Sequence, residues 1–126
     1  MHITVDEADP RPIYRQVADE IKALIAGGAL REGAQLPPVR QLAADLGVNL
    51  NTVATAYREL QAEGLLAIRH GAGAVVASRT AHDRPADELR RPLRAALTGM
   101  VLAGLPRVEI MNIVQSELRG LLKGGR

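Results

Sequence analysis

One stretch decides the fold: Leu36–Val76, with the sequence LPPVRQLAADLGVNLNTVATAYRELQAEGLLAIRHGAGAVV. Between Val39 and Leu46, apolar residues recur at i, i+3, i+4 and i+7, which is the spacing of one face of a short helix. Gly47 follows the last of them, where a left-handed residue commonly closes a helix. Asn49 can cap the next helix through its side-chain oxygen. The stretch therefore predicts two helices joined by a tight turn.

The second predicted helix is followed by a hairpin. The inward-facing positions of this second helix are Val53, Ala56, Tyr57 and Leu60. Gly64 ends this helix, and two short β-prone runs, LLAIR and AVVAS, then flank the glycine-rich tip HGAG. Helix, turn, helix and hairpin in this order make a winged helix-turn-helix, which places one helix in a DNA major groove.

The residues before this stretch predict a strand and a further helix. Ile3 and Val5 alternate with polar neighbours, as in a short strand that Pro10 and Pro12 end. Apolar residues with helical spacing then run from Pro12 to Ala26. A turn, ALREGAQ, leads into the helix-turn-helix.

A polar run, RTAHDRPAD at residues 79–87, separates this half from a second module. That module has two apolar stripes of helical spacing with Gly104 and Pro106 between them, which predicts a helical hairpin. We expect a winged helix-turn-helix domain at residues 1–79 and a short helical dimerisation or effector tail at 80–126. The predicted fold class is mainly α with a small β-hairpin.

The tail is expected to form a dimer. A two-helix hairpin has a single internal seam and cannot bury both apolar stripes by itself. Two-fold symmetry is the commonest way in which identical chains cover such surfaces, so we predict a homodimer. The predicted interface residues are Leu89, Leu93, Leu97, Met100, Val101, Ile110, Ile113, Val114, Leu118 and Leu121.

Composition narrows the class of protein. The 126 residues include no cysteine, and two tyrosines are the only aromatic residues. This predicts an aliphatic core and excludes a disulfide framework and thiolate chemistry. The N-terminus lacks the apolar core of a signal peptide, and no apolar run approaches the roughly 20 residues that span a bilayer. We expect a cytoplasmic protein with no membrane partner.

The net charge of +2 says little about DNA binding, because the charge is unevenly distributed along the chain. Residues 1–80 carry a net charge of −1 and residues 81–126 a net charge of +3. The half that is expected to bind DNA is therefore not basic overall. Attraction to phosphate must come from the local placement of Arg40, Arg58, Arg69 and His70.

The residues do not predict an enzyme. His2, His70 and His82 are scattered along the chain, and no cysteine or H-x-x-x-H pair suggests metal ligation. No G-x-S-x-G motif occurs, and HGAGAV lacks the lysine of a phosphate-binding loop. We expect no catalytic residue, no metal and no cofactor.

Residues 12–77 closely resemble the N-terminal domain of GntR-type bacterial transcription regulators. The matching segments are PIYRQ, the G-x-L-x-x-G of Gly28–Gly33, LPPVR, LAADLGV, NTV, AYREL, EGLL and the wing tip H-G-x-G. The short two-helix tail is similar to that of the YtrA branch. AYREL also occurs in the MocR branch, where an aminotransferase-like domain binds pyridoxal phosphate; the tail of this chain leaves no room for that domain.

The resemblance implies a mechanism. A homodimer would place two recognition helices in successive major grooves of an operator with two-fold symmetry, while the wing tips reach the minor groove. Regulators of this kind most often repress by occluding a promoter, commonly that of their own operon. In the YtrA branch these operons often encode membrane transporters.

The resemblance, together with side-chain chemistry, gives a set of residues expected to contact DNA. Arg40 matches the family's arginine at the start of the second helix and can clamp a phosphate or the edge of a guanine. Asn51 can read an adenine, and glycine at the wing lets the backbone approach DNA closely. The complete predicted set is Arg40, Asn49, Asn51, Thr52, Thr55, Arg58, Arg69, His70 and Gly71.

Some of these residues have alternative roles. Asn49 can act purely as a cap, and Arg58 can pair with Glu59 or Glu63 instead of DNA. Tyr57 is expected in the core, with a phosphate contact through its hydroxyl as the alternative.

Two positions depart from the family pattern. Leu50 stands where many members carry arginine, and Ala54 replaces another residue that is frequently basic or polar. Leucine cannot hydrogen-bond to a base edge, although it can touch a thymine methyl group or support helix packing. We therefore expect weaker guanine recognition and more reliance on Arg40, the wing and DNA shape.

The leading prediction is a sequence-specific regulator of transcription that binds double-stranded DNA and acts as a homodimeric repressor on a two-fold symmetric operator. The alternative is a winged-helix docking module whose partner binding would survive loss of Arg40 and Thr52. The residues leave open whether an unidentified small-molecule effector binds. The tail alone is too small to enclose a typical pocket of about 300–1,000 Å³, so such an effector would lie between two chains.

Overall fold

The computed structural model describes residues 1–69, 71, 73–78 and 86–122. The chain divides into two compact units, Met1–Arg79 and Thr80–Arg126. Unit 1 contains α1 (Ile13–Ala26), α2 (Val39–Leu46), α3 (Leu50–Ala62), β1 (Leu66–Arg69) and β2 (Gly73–Val76), and unit 2 contains α4 (Ala86–Leu102) and α5 (Arg107–Leu121). The predicted fold class, mainly α with a small β-hairpin, is confirmed.

The core of unit 1 is aliphatic and is centred on α3, which packs against both α1 and α2. Val17 and Ile21 of α1 and Val53 and Leu60 of α3 are completely buried. Burying each such side chain stabilises the fold by about 1.5–3 kcal/mol. The inward face predicted for α3 is therefore correct.

The turn between α2 and α3 depends on Gly47. Its φ of 67° lies in the left-handed region, which costs glycine nothing and a residue with a Cβ about 1 kcal/mol or more. In this conformation Gly47 donates its N–H to the carbonyl of Ala44, and Val48 donates to Ala43. The helix ends sharply, and α3 begins three residues later.

The hairpin is antiparallel, with Leu66 opposite Val76 and Arg69 opposite Gly73. The segment 33–36, which includes the end of the turn predicted at residues 29–35, lies along the other edge of β2. Gly33 donates to the carbonyl of Val76, Val76 to Ala34, and Leu36 to Ala74, each at 2.9 Å. The chain before α2 is thereby tied to the wing, a long-range pairing that local sequence does not reveal.

The strand predicted around Ile3 and Val5 is wrong, because residues 1–6, all described, form no strand. Ile3 instead enters the core of unit 1. The side chain of Gln16 forms hydrogen bonds with both backbone groups of Asp6. Oε1 of Gln16 accepts from the Asp6 N–H at 2.8 Å, and Nε2 of Gln16 donates to the Asp6 carbonyl at 3.0 Å. Because a side chain satisfies these groups, no neighbouring strand is needed.

In unit 2, α4 begins inside the run predicted as a linker. Asp87 and Glu88 lie in its first turn, where carboxylates interact favourably with the positive end of the helix dipole. Residues 79–85 lie outside the described residues. Gly104 and Pro106 fall between α4 and α5 as expected. Over the described part of the chain, neither of these helices nor those of unit 1 has the length and apolarity to cross a bilayer.

Apolar side chains of unit 2 lack cover within the unit. No side chain between residues 87 and 122 is buried. Much of both apolar stripes is therefore left in contact with solvent.

Candidate nucleic-acid interface

Arg40 occupies the second position of α2 and is exposed. Val39, Leu42 and Ala43 turn towards the core, and Arg40, about 100° around the helix from Val39, lies outside that buried side. The guanidinium is thus available at the surface, with its backbone fixed by the packing of α2. This is the placement expected for an arginine that clamps a phosphate or a guanine edge.

Tyr57 fixes the start of α2 from the neighbouring helix. It is only 7% exposed, and its hydroxyl donates to the carbonyl of Pro37 at 2.7 Å. Burial raises the pKa of Tyr57 to about 12. The phenol is therefore neutral and acts as a donor at physiological pH. The expectation of a core role is correct. The hydroxyl donates its proton inside unit 1 rather than towards the surface.

Asn49 caps α3, as the sequence predicts. Its Oδ1 accepts the backbone N–H of Asn51 at 2.8 Å. Asn49 and Asn51 are both exposed, while Thr52 is half-buried. The cap uses one oxygen of Asn49 and leaves its Nδ2 group at the surface, so capping and DNA contact are compatible roles.

Further along α3, Thr55 and Arg58 form a hydrogen-bonded pair. The hydroxyl of Thr55 donates to the carbonyl of Asn51 at 2.8 Å and accepts from Nη2 of Arg58 at 3.1 Å. Because its proton is used within the helix, Thr55 serves chiefly to orient Arg58.

The glutamates that were alternative partners for Arg58 lie in ion pairs with α1. Glu59 pairs with Arg15 at 3.6 Å, and Glu63 pairs with Lys22 at 2.9 Å. Surface pairs of this kind contribute about 0–1 kcal/mol. While both glutamates pair with α1, Arg58 instead forms its hydrogen bond with Thr55 along α3.

The wing presents Arg69 and Gly71, both exposed. Gly71 has a φ of 84°, so the tip requires glycine for backbone reasons whether or not DNA is bound. An added Cβ at Gly71 would meet no atom within 4 Å, so the cost of replacing it is backbone strain. His70, predicted to contact DNA, lies outside the described residues.

Gln16 is a structural residue that sequence reasoning missed. It is 2% exposed, and beyond its two bonds to Asp6 its Nε2 donates to the carbonyl of Arg11 at 3.0 Å. The available signal was a polar side chain three residues after Ile13, on the inward side of α1. Gln16 holds the N-terminal segment against the helical core rather than contacting a ligand.

Among the described residues, no group of three or more His, Cys, Asp or Glu side chains could hold a metal ion. Apart from the exposed carboxylate of Asp45, the exposed polar side chains of α2, the first half of α3 and the wing are amides and guanidiniums, with the half-buried hydroxyls of Thr52 and Thr55 beside them. These groups suit hydrogen bonding to phosphates and base edges.

The ten residues predicted for the dimer interface all lie on α4 and α5. Leu97, Met100, Ile110 and Val114 are half-buried. The other six, exposed by 37–63%, are Leu89, Leu93, Val101, Ile113, Leu118 and Leu121.

Residues 13–76 match the family model described as bacterial regulatory proteins, gntR family. Among curated proteins, the probable rhizopine catabolism regulatory protein MocR of Rhizobium meliloti is 42% identical over 76 residues, 60% of this chain but 15% of MocR. The HTH-type transcriptional repressor YtrA of Bacillus subtilis is 29% identical over 127 residues, covering 98% of this chain and 97% of YtrA.

Solved structures extend the similarity. A transcriptional antiterminator from Listeria monocytogenes EGD-e has a TM-score of 0.86 at 27% identity, covering 97% of this chain and 93% of its own. AraR(DBD) in complex with operator ORE1 has a TM-score of 0.51 at 28% identity, covering 61% of this chain and 94% of its own. The first similarity spans both units, and the second concerns a protein solved with its operator.

Proposed function

The chain belongs to the GntR family of bacterial regulatory proteins and is a DNA-binding regulator of transcription, and on that premise we propose that it acts as a homodimeric repressor on a two-fold symmetric operator. The observation that carries this proposal is the combination, in one short chain, of a winged helix-turn-helix with an uncovered apolar tail. The relatives reported above are named as regulators, which supports a regulatory rather than a catalytic role.

We propose that α3 enters the major groove with its N-terminal end towards the bases. Three features support this orientation: the exposed amide of Asn51, the half-buried hydroxyl of Thr52 and the capped helix start at Asn49. Arg40 and Arg58 would flank the groove, and Arg69, His70 and Gly71 would contact the adjacent minor groove. Thr55 would act by holding Arg58 in place.

The tail would join two copies of the chain. A helical unit with no buried side chain over residues 87–122 has little to stabilise it alone. A second copy offers the same apolar stripes, so an isologous contact would remove both sets from water. In such a dimer each chain would contribute one unit 1. Its two recognition helices would then lie about one helical turn of DNA apart, which is about 34–36 Å.

Repression is the sign of regulation that best fits the chain. YtrA, which this chain matches along 97% of its length, is named a repressor. A dimer bound across a promoter would exclude polymerase by occupying the same DNA.

Oligomeric mass and DNA affinity, measured together, test this proposal. Leu97→Asp and Ile113→Asp each place a charge on the proposed interface. They should lower the mass from dimer to monomer and weaken binding to a duplex that the wild-type protein has selected. Leu102→Asp is the matched control, since it places the same charge on α4 at a residue that is not part of the proposed interface. A wild-type monomer, or unchanged mass in both variants, would reject the tail as the interface.

Transcription from a template that carries the selected site over its promoter tests the sign of regulation. The wild-type protein should reduce transcript yield in proportion to site occupancy. Raised yield at full occupancy would contradict repression. Binding of a protein partner by a variant that lacks Arg40 and Thr52, together with no DNA selectivity in the wild type, would identify a docking module instead.

A further inference from the structure

Leu50 is an apolar side chain exposed where the recognition helix begins. It occupies the first position of α3 and is 41% exposed. The inward-facing residues of the same helix, such as Val53 and Leu60, are completely buried. Leu50 is therefore not part of the core of unit 1, and core packing does not account for a leucine at this place.

The polar groups around Leu50 are already partly used. The side-chain oxygen of Asn49 and the backbone N–H of Asn51 are bonded to each other. The hydroxyl of Thr55 donates to the Asn51 carbonyl. Within the first two turns of α3, hydrogen bonding to bases is left mainly to the side-chain amides of Asn49 and Asn51 and the hydroxyl of Thr52.

These two turns also carry no arginine or lysine: the segment 50–57 reads LNTVATAY. Guanine is most often recognised by a bidentate arginine or lysine, so this part of α3 cannot recognise it in that way. Ala54 follows Leu50 by four residues and lies beside it on the helix surface. Together they form an apolar strip next to the amide of Asn51.

We propose that Leu50 reads the C5 methyl group of a thymine in each half of the operator, with Ala54 extending the contact. This inference rests on the proposed docking of α3 in the major groove. The thymine methyl is the one apolar group that unmodified base pairs present there. Against a G·C pair, Leu50 would cover polar base atoms without offering them a hydrogen bond, which costs free energy. Leu50 therefore favours thymine and disfavours G·C pairs at the same position.

Replacing thymine by deoxyuridine tests the proposal, because uracil keeps every hydrogen-bonding group and lacks only the methyl. The probe is the duplex recovered by wild-type protein from a random pool, resynthesised with each thymine replaced in turn. One position in each half-site should lose affinity, about fourfold when one half-site is changed and about fifteenfold when both are. The other thymines serve as internal controls.

Leu50→Ala completes the test. This variant should bind the thymine duplex more weakly than wild type and show no further loss when the sensitive thymine becomes deoxyuridine. Leu50→Met keeps an apolar chain and should retain sensitivity to the methyl group. Leu102→Ala, which removes the same atoms from an exposed leucine in the tail, should behave as wild type. Thermal unfolding of each variant checks that unit 1 is folded.

Three results would overturn the inference. Equal affinity for all deoxyuridine duplexes would show that no methyl is read, while the selected site would still support the proposed function. Sensitivity that persists in Leu50→Ala would assign the methyl contact to another residue. No sequence-selective binding by the wild type would reject the proposed function, and the inference with it.

Discussion

The hydroxyl of Tyr57 lies 2.7 Å from the backbone carbonyl oxygen of Pro37 and donates a hydrogen bond to it. Tyr57 belongs to α3, and Pro37 comes two residues before α2 begins. One buried bond therefore connects the recognition helix to the start of the helix that carries Arg40. The relative placement of the two helices depends on this contact as well as on the aliphatic core.

Removing this hydroxyl should reduce stability without removing the ring. Tyr57→Phe leaves the carbonyl of the half-buried Pro37 with one partner fewer, and we expect the free energy of unfolding to fall by about 1 kcal/mol. Urea denaturation followed by circular dichroism measures the change. Tyr14→Phe is the control, since Tyr14 is half-buried, and a loss of equal size in that variant would contradict the role given to Tyr57.

The same tyrosine predicts how stability depends on alkaline pH. Burial raises the pKa of Tyr57 in the folded chain to about 12 from its ordinary value of 10.0. Because the folded pKa is the higher one, this contribution is complete below pH 10 and is lost as the pH rises through 12. The difference in unfolding free energy between wild type and Tyr57→Phe should therefore be constant below pH 10 and shrink above it. A difference that grew with pH would contradict the assignment.

Asn49 allows capping and DNA contact to be separated. Asn49→Ala removes the bond to the Asn51 N–H and should cost about 1 kcal/mol of stability. Asn49→Asp keeps an acceptor oxygen and should retain that stability, but its charge should repel phosphate and weaken DNA binding, most at low salt. Thermal unfolding and DNA affinity at two salt concentrations are the measurements. Undiminished DNA binding by Asn49→Asp would leave Asn49 as a cap alone.

Gln16 should control the order of the N-terminal segment. Gln16→Ala removes hydrogen bonds to both backbone groups of Asp6 and to the carbonyl of Arg11. We expect a loss of about 1–2 kcal/mol, since three part-buried hydrogen bonds are lost while the backbone groups of the exposed Asp6 and Arg11 can bond to water instead. Amide hydrogen exchange at Asp6 should accelerate most. Gln41→Ala, a change at an exposed glutamine of α2, should leave that exchange rate unaltered. Equally slow exchange at Asp6 in Gln16→Ala and wild type would contradict the role given to Gln16.

The local signals in the sequence were sufficient for the helix-turn-helix. Apolar spacing and the flanking residues Gly47 and Asn49 act within a few positions, so the ends of α2 and α3 could be predicted from them. The bond from Tyr57 to Pro37 and the pairing of segment 33–36 with β2 join residues far apart in the chain. No periodicity encodes such contacts, and they emerged only from the packed structure.

The candidate site was predictable in position more than in detail. Helical geometry and the family resemblance indicated that Asn51 and Arg58 would be exposed, and both are. The sequence did not reveal that Thr55 would orient Arg58. It also left two roles open for Leu50, and only the exposure of Leu50 in the structure favours contact with DNA over packing within unit 1.

Selection of double-stranded DNA from a random pool, at one fixed salt concentration, tests the central claim most directly. Wild type, Arg40→Ala and Arg11→Ala are compared; Arg11 is the matched control, because it pairs with Asp9 and Asp19 and is not among the proposed DNA contacts. We predict a two-fold symmetric site whose half-sites lie about 10 base pairs apart or a multiple of it, recovered by wild type and Arg11→Ala and lost in Arg40→Ala. No enriched sequence from folded, dimeric wild-type protein would contradict the account.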